Sequence, residues 1–500
     1  MTYNIKISAT AYAYVGLAKQ NMTVPQCLCE LIDNAIAAAK PEAKTQVYVA
    51  LAPCPQDKDH VMVCVADWGT GMDVEGLENA LQLGSVPTGE SRLNEHGFGL
   101  DNALATLTSG DGNWSIMSHK ENSPYYMVTG PMQEDMTVEE LPQLELPDGI
   151  LLPANPATVV CARVSMRFLQ TVRRGGGRCS DLATVRTWLL EHLGVAYRGY
   201  LELDEETMEP TAKIVLSIGE DRIAVAPNPV PMDNVTTERF SLEIAGAIVP
   251  MTYRYGMLSE DARDHMVRGT KAKYYYQGNT STQGIDIRLG KRVIATAQFD
   301  QIWRTANGKG NLARHNNYND FVGEVLIPEL PRGVLTTLNN KTGIDPTDPD
   351  WDTIVDKLND FTPPVKIREA TEQAIKEKWM SILAAACPAD TISDEIAVWP
   401  TATRIDVVEE GAHGLLLYEL KVGRGAPLDL YQMRMYWDGL VLSGRQPAQA
   451  TLLVAEYSSD LSAMLALMNQ LPPPKLPDGK SSAPYCFSIA RHEDKCLAGA

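Results

Sequence analysis

The chain has 500 residues, 44% of them hydrophobic and 21% charged. That is too long for one core and fits roughly two to four globular domains. Its formal net charge of −19 argues against non-specific duplex binding by the whole surface and leaves room for a local basic groove or for DNA engaged only in a closed state. No apolar run approaches the ~20 residues of a membrane span, and residues 1–6 lack the basic and apolar regions of a signal peptide. Nine scattered cysteines without a C-x-x-C pair predict unpaired thiols in a reducing cytoplasm.

Residues 28–40 combine an apolar run with an alanine-rich tail and read as a helix. Glu30, Asp33 and Asn34 fall at i, i+3 and i+4, so one face presents two carboxylates and an amide. A carboxylate can polarise water, and an amide oxygen can hold a hard cation. Strand-like segments at 46–51 and 61–66 lead into Asp67-Trp-Gly-Thr-Gly-Met72. There a carboxylate at a strand end precedes glycines that let the backbone approach a planar ring. His96-Gly97-Phe98-Gly99-Leu100 then opens a helix to 107, whose N-terminal amides form an anion-binding corner. Asp101 just inside it disfavours a phosphate unless it turns away. Further strands are expected at 114–118 and 157–164, the latter carrying Thr158. Arg173, Arg174 and Arg178 mark a basic glycine loop, and Asp181 caps a linking helix to 197.

Strand signals resume at 212–218, 241–250, 284–289 and 322–328, predicting a second mixed domain over 186–345 that ends in Asn339-Asn340-Lys341-Thr342-Gly343. Residues 346–365 read as a linker with a turn and a short helix. The third domain, 366–500, opens with a charged helix (367–386). Strands at 403–409 and 415–422, a helix at 429–442, a strand at 450–455 and a polyproline connector at 472–477 follow. The two strands of the hairpin set Asp406 beside Glu419, with Lys421 on the Glu419 face. Two adjacent carboxylates bind Mg²⁺, and a nearby lysine can orient water. Gln432 and Tyr436 lie one turn apart on the next helix, and Lys421, Arg424 and Arg434 can meet phosphates. Glu369, Glu372 and Glu377 are open as a further acid. Tyr274–Tyr276, after Lys271 and Lys273, read as half-buried strand tyrosines.

In this order, the helix face, the Asp67 motif and the Gly97-Phe98-Gly99 motif resemble the N-box and glycine motifs of the GHKL ATPase superfamily (gyrase, heat-shock chaperones, histidine kinases, MutL). Residues 284–294 and 334–341 are similar to the transducer of its MORC-type branch. The resemblance implies an α/β (α+β) fold class with a Bergerat-type ATPase sandwich over 1–185 and a transducer over 186–345. It implies ATP and Mg²⁺ as cofactors, with Glu30 as general base and Asn34 on the metal. Asp67, Gly69, Gly71, Met72 and Thr158 would surround adenine. Gly97, Phe98, Gly99 and Leu100 would form the lid, and Lys341 would reach the γ-phosphate. Two departures stand out: Ala157 replaces the usual glycine before Thr158, and Asp101 stands where many relatives carry lysine. Residues 404–436 resemble the PD-(D/E)XK nuclease core of the RecB-like branch, implying a restriction-endonuclease-like α/β domain. Asp406 and Glu419 would then hold Mg²⁺, with Lys421 and Gln432 in catalytic roles. Together the resemblances imply an ATP-gated DNA endonuclease of bacterial defence against phage or plasmids. It would be a homodimer on ATP binding, with duplex DNA and a partner defence protein as partners and no membrane. A non-cleaving DNA clamp is the alternative, and the choice between DNA and RNA stays open.

Overall fold

A computed structural model describes the chain except at residues 1–10, 20, 42–43, 56, 86–90, 96, 134, 173–180, 205, 260, 263–273, 304–311, 339–340, 342, 366–371, 399–403, 477 and 493–500. His96, the three arginines of the glycine loop, Lys271, Lys273, Asn339, Asn340, Thr342 and Glu369 thus lie outside the described residues. The chain divides into two compact units, 1–366 and 367–500.

The first unit holds two sheets. One has eight strands in the order β5–β4–β3–β6–β2–β1–β7–β8. These are β1 (Thr45–Cys54), β2 (Asp57–Asp67), β3 (Trp114–Ser118), β4 (Tyr125–Thr129), β5 (Val138–Leu141), β6 (Thr158–Ser165), β7 (Ala212–Ile218) and β8 (Asp221–Ala224). Helices α1 (Ala11–Leu17), α2 (Val24–Ala37), α3 (Val74–Leu81) and α4 (Gly99–Leu107) accompany them. Strand alternation divides the apolar residues between two faces. Val47, Val49 and Leu51 of β1 join Leu28 and Ile32 of α2 and Leu104 of α4 in one core. Tyr48, Ala50 and Ala52 face the other way, onto Leu141 and Ile150. The sheet is therefore a two-sided layer with its helices on one face.

Three expectations are corrected here. The strand at 212–218, read as the start of the second domain, is β7 of the first sheet and pairs parallel with β1, from Thr45 opposite Ala212 onward. A parallel neighbour needs a crossover, and the helix Leu182–Ala196, capped by Asp181 through the Thr184 amide, supplies one. The boundary expected at 185 therefore falls inside the layer built on the first sheet. The second correction concerns the single strand expected at 241–250, which is a hairpin between β9 (Met232–Ile244) and β10 (Ala247–Leu258). Its turn residues, Ala245 and Gly246, have φ of 48° and 80°, the positive pair that tight hairpins require, and alanine is a poor signal of it. The third is Cys64 and Cys161, which are disulfide-bonded rather than free thiols. They are direct cross-strand partners on β2 and β6, with Cα atoms 4.1 Å apart. Cys27, Cys29, Cys54, Cys387 and Cys486 are free among the described residues.

The second sheet has the order β12–β11–β13–β10–β9, with β11 (Gly284–Leu289), β12 (Arg292–Gln298) and β13 (Phe321–Ile327). The helix Pro349–Leu358, expected within the linker, buries Trp351, Ile354, Val355 and Leu358 in this sheet's core, so the segment is structural. The second unit is a five-stranded mixed sheet of β14 (Thr391–Ala397), β15 (Arg404–Gly411), β16 (Gly414–Leu420), β17 (Pro447–Val454) and β18 (Phe487–Arg491). The helix Pro427–Leu442 packs Leu430, Met433, Tyr436 and Trp437 into its core. β14, β18 and the helix Ser459–Met468 had no reading in the sequence. No described helix is long and apolar enough to cross a membrane.

Within the first unit, Arg198 ties the end of the crossover to the second sheet. It is 1% exposed and donates to Glu324 Oε1, Asp286 Oδ2 and Tyr276 Oη, each at 2.7 Å. Arg198→Ala leaves two buried carboxylates without their cation, so a loss of ~3–5 kcal/mol is expected in urea unfolding, with Arg198→Lys in between.

Candidate functional site

Helix α2 starts where Thr23 N–H donates to Gln26 Oε1 at 2.6 Å, with proline in its first turn. Its apolar face docks on the sheet, which fixes the opposite face over a cleft of ≈ 600 Å³. Glu30, Asn34, Asp67, Gly71, Met72, Gly97, Gly99, Leu100, Thr158 and Lys341 all line this cleft. Gly69 and Phe98 do not line it. The Gly69 amide donates to Asp67 Oδ1 at 2.8 Å, and the Phe98 ring lies against Gly84.

At one end, strand register brings three polar groups together: Asp67 is opposite Thr158, and Thr158 opposite Ser118. Ser118, which the sequence reading missed, accepts from Met72 N–H at 2.9 Å and donates to the Ala157 carbonyl at 3.0 Å. Its single proton is then spent, so Thr158 Oγ1, at 2.9 Å, is donor to Ser118 and acceptor toward the cleft. Asp67 is 7% exposed. Burial pushes its carboxyl up to about 7, against the pull of the Gly69 amide. A β-carbon at Gly71 (φ 65°) would collide with the His119 carbonyl, so the close turn requires glycine. This end presents acceptors, suited to an exocyclic amine.

At the other end, Gly99 opens α4, and a β-carbon there would meet Glu30 Oε2. The glycine therefore leaves room for the carboxylate at the helix N-terminus. Asp101, the awkward acid, is absent from the cleft lining. It is buried under α4, where desolvation pushes its carboxyl up to about 7. Lys341 Nζ donates to Glu30 Oε2 at 2.9 Å, Asp33 Oδ2 at 3.1 Å and the Leu93 carbonyl at 2.5 Å. Burial alone would lower the lysine, but Asp33 and Glu30 outweigh it and hold the ammonium above its usual value. Glu30 is pushed up by burial, with Lys341 pulling against it. Asp33 is held below its usual range because Arg292, Lys341 and Tyr197 overcome its burial. Arg292 and Tyr197 had no role in the sequence reading. The loop before Lys341 also grips the segment before Gly97: Arg92 donates to the carbonyls of Leu330, Pro331 and Leu335, and Thr337 Oγ1 to Glu95 at 2.8 Å.

The second unit holds the other cluster. Asp406 on β15 accepts from Leu420 N–H at 2.8 Å, which sets it beside Glu419 on β16. Glu419 is 2% exposed, and its Oε1 takes Lys421 Nζ at 2.7 Å. Its buried Oε2 has no hydrogen-bond partner among the described residues. Burial and the neighbouring Asp406 push Glu419 up to about 8, against Lys421. Of the candidate helix acids, Glu372 reaches Lys421 at 3.2 Å, while Glu377 instead takes Gln373. Gln432 donates to Tyr436 Oη at 2.6 Å. The charge of Glu419 adds to burial in raising that tyrosine. Arg434 lies 3.6 Å from Asp438.

Residues 22–138 match the family of histidine kinase-, DNA gyrase B- and HSP90-like ATPases, so this stretch is a GHKL-type ATPase domain. No curated protein matches the chain. A solved structure, the crystal structure of the N-terminal domain of a DNA repair protein, is similar to it at 14% identity and a TM-score of 0.37. That match covers 70% of this chain and 97% of the other, and at that TM-score it carries no functional weight.

An ionised Asp67 accepts from an amine, and protonation removes that acceptor. With its carboxyl at about 7, adenine-nucleotide affinity is expected to fall as pH drops from 8 to 6. Asp67→Asn should bind about 10-fold or more weakly and lose that pH difference. Calorimetric titrations at the two pH values check both.

Proposed function

We propose that this protein is an ATP-driven switch whose ATPase cycle controls a metal-dependent DNA endonuclease in the second unit, acting in the bacterial cytoplasm against phage or plasmid DNA. The observation that carries the reading is Lys341 on Glu30 in the cleft of a GHKL-type ATPase domain, a lysine from beyond the second sheet completing the site of the first. In the ATPase cycle, Asp67 and Thr158 hold the adenine, and the amides at the start of α4 face the phosphates. Glu30 takes a proton from the water that attacks the γ-phosphorus, and the bond to the β–γ bridging oxygen breaks. Asn34, which lines the cleft, fits Mg²⁺, which would neutralise phosphate charge. Two protomers close on ATP and reopen after hydrolysis.

The nuclease reading rests on Asp406, Glu419 and Lys421. A buried carboxylate oxygen without a partner beside a second carboxylate suits a divalent cation, which would activate water and shield the phosphodiester. Lys421 steadies the charge developing on phosphorus, and Gln432 positions the attacked strand. Supercoiled plasmid is the expected substrate, and a partner defence protein is the expected trigger.

Glu30→Ala should retain ATP with turnover down about 100-fold or more; normal hydrolysis in a phosphate-release assay would sink the base assignment. Lys421→Ala should lose plasmid nicking while keeping ATPase rate. Retained nicking removes the nuclease from this hairpin. ATP-dependent plasmid retention without nicking in the wild type would leave a non-cleaving clamp.

A further inference from the structure

The helix face that carries Glu30 also carries Asp33, fully buried and without a role in the reaction just described. Asp33 divides its two oxygens between different partners. Oδ1 takes Arg292 Nε at 3.1 Å and Tyr197 Oη at 2.7 Å. Oδ2 takes Lys341 Nζ at 3.1 Å. Arg292 belongs to β12 in the second sheet and is itself anchored. Its guanidinium lies 4.6 Å over the Tyr197 ring, and Nη1 donates to the carbonyls of Ala196 (3.3 Å) and Val293 (2.5 Å). The Tyr197 hydroxyl also lies 2.9 Å from the Cys29 carbonyl. Asp33 is therefore fixed from one side and holds Lys341 from the other.

A lysine ammonium has three N–H donors. In this structure all three are engaged, by Glu30, Asp33 and the Leu93 carbonyl. A γ-phosphate can gain Lys341 only by displacing one of them. Glu30 is the proposed base and must stay near the reacting water. The Leu93 carbonyl is uncharged. Asp33 is the remaining anion, and it competes directly with phosphate for the same cation.

We infer that Asp33, held by Arg292 and Tyr197, is a positioning residue that competes with the γ-phosphate for Lys341 and so sets how strongly the site prefers ATP over ADP. The inference rests on the ATPase reading and on Lys341 as the γ-phosphate lysine. Its consequence is a pair of effects with opposite signs. Arg292 and Tyr197 each take a share of the Asp33 charge and loosen its hold on Lys341. Removing either strengthens that hold. Removing the Asp33 charge releases the lysine. Loss of structure alone would weaken binding in every variant, and a general change of site charge would act on ADP as well as on ATP.

The test is the ratio of dissociation constants for ADP and a non-hydrolysable ATP analogue, measured by calorimetry on the full chain. Asp33→Asn should raise the ATP preference about fivefold, and Arg292→Gln should lower it by a similar factor. Tyr197→Phe should lower it less, and Arg292→Lys should restore it. A shift in the same direction for Asp33→Asn and Arg292→Gln, or equal effects on both nucleotides, overturns the inference. Thermal melts identify any variant that does not fold. If Asp33→Asn is one, the Arg292→Gln, Arg292→Lys and Tyr197→Phe series decides, and an unchanged ratio across it is the overturning result. A wild type that binds neither nucleotide brings down the ATPase reading and this inference together. A wild type that binds ATP while the variants show the wrong signs removes the inference alone.

Discussion

The buried quartet of Glu30, Asp33, Lys341 and Arg292 is the constraint on which the first unit turns. Two carboxylates on one helix face, neither more than 2% exposed, could not remain ionised in an apolar interior by themselves. Each unpaired buried charge would cost several kcal/mol. Two cations answer them, and neither comes from the ATP-binding layer. Arg292 arrives on β12, and Lys341 from the segment after the second sheet. Glu30 and Asp33 have these counter-charges only when the second sheet is in place. The partners are separated by 259 and 311 residues, so this assembly falls late in any chain that forms local contacts first.

The same loop carries a second consequence. Residues 330–337 accept from Arg92 and donate to Glu95, and Arg332 reaches the Ser91 carbonyl at 3.0 Å. The segment just before Gly97 is thereby tied to the segment just before Lys341.

What was legible in the sequence follows from distance along the chain. Glu30, Asn34, Asp67 and Gly97–Leu100 were readable because their meaning lies in local spacing on one helix, one strand end and one helix start. Helix α2, β3 and the crossover helix were readable from periodicity and a cap. β7 was found as a strand and assigned to the wrong sheet, because parallel pairing with β1 leaves no local mark. The Ala245–Gly246 turn was hidden by an alanine in a left-handed conformation. Cys64 and Cys161 carry no motif, and only strand register brings them together. Ser118 and Arg292 sit in segments recognised as a strand and as transducer-like, yet their partners are set by register and by a distant helix.

The two lysine sites differ in what they leave unsatisfied. Around Lys341 every donor has an acceptor and the charges balance within the quartet. A ligand there must exchange contacts rather than add them, which suits a reversible switch. Around Lys421 the balance fails. Lys421 serves both Glu419 and Glu372, Asp406 takes the Leu420 amide, and one Glu419 oxygen is buried with no hydrogen-bond partner among the described residues. The upward shift of Glu419 is the electrostatic expression of that deficit. A proton can fill it below about pH 8 and a divalent cation above. A carboxylate pair left short of positive charge beside a half-exposed lysine is better arranged to gain a cation than to hold a hairpin together.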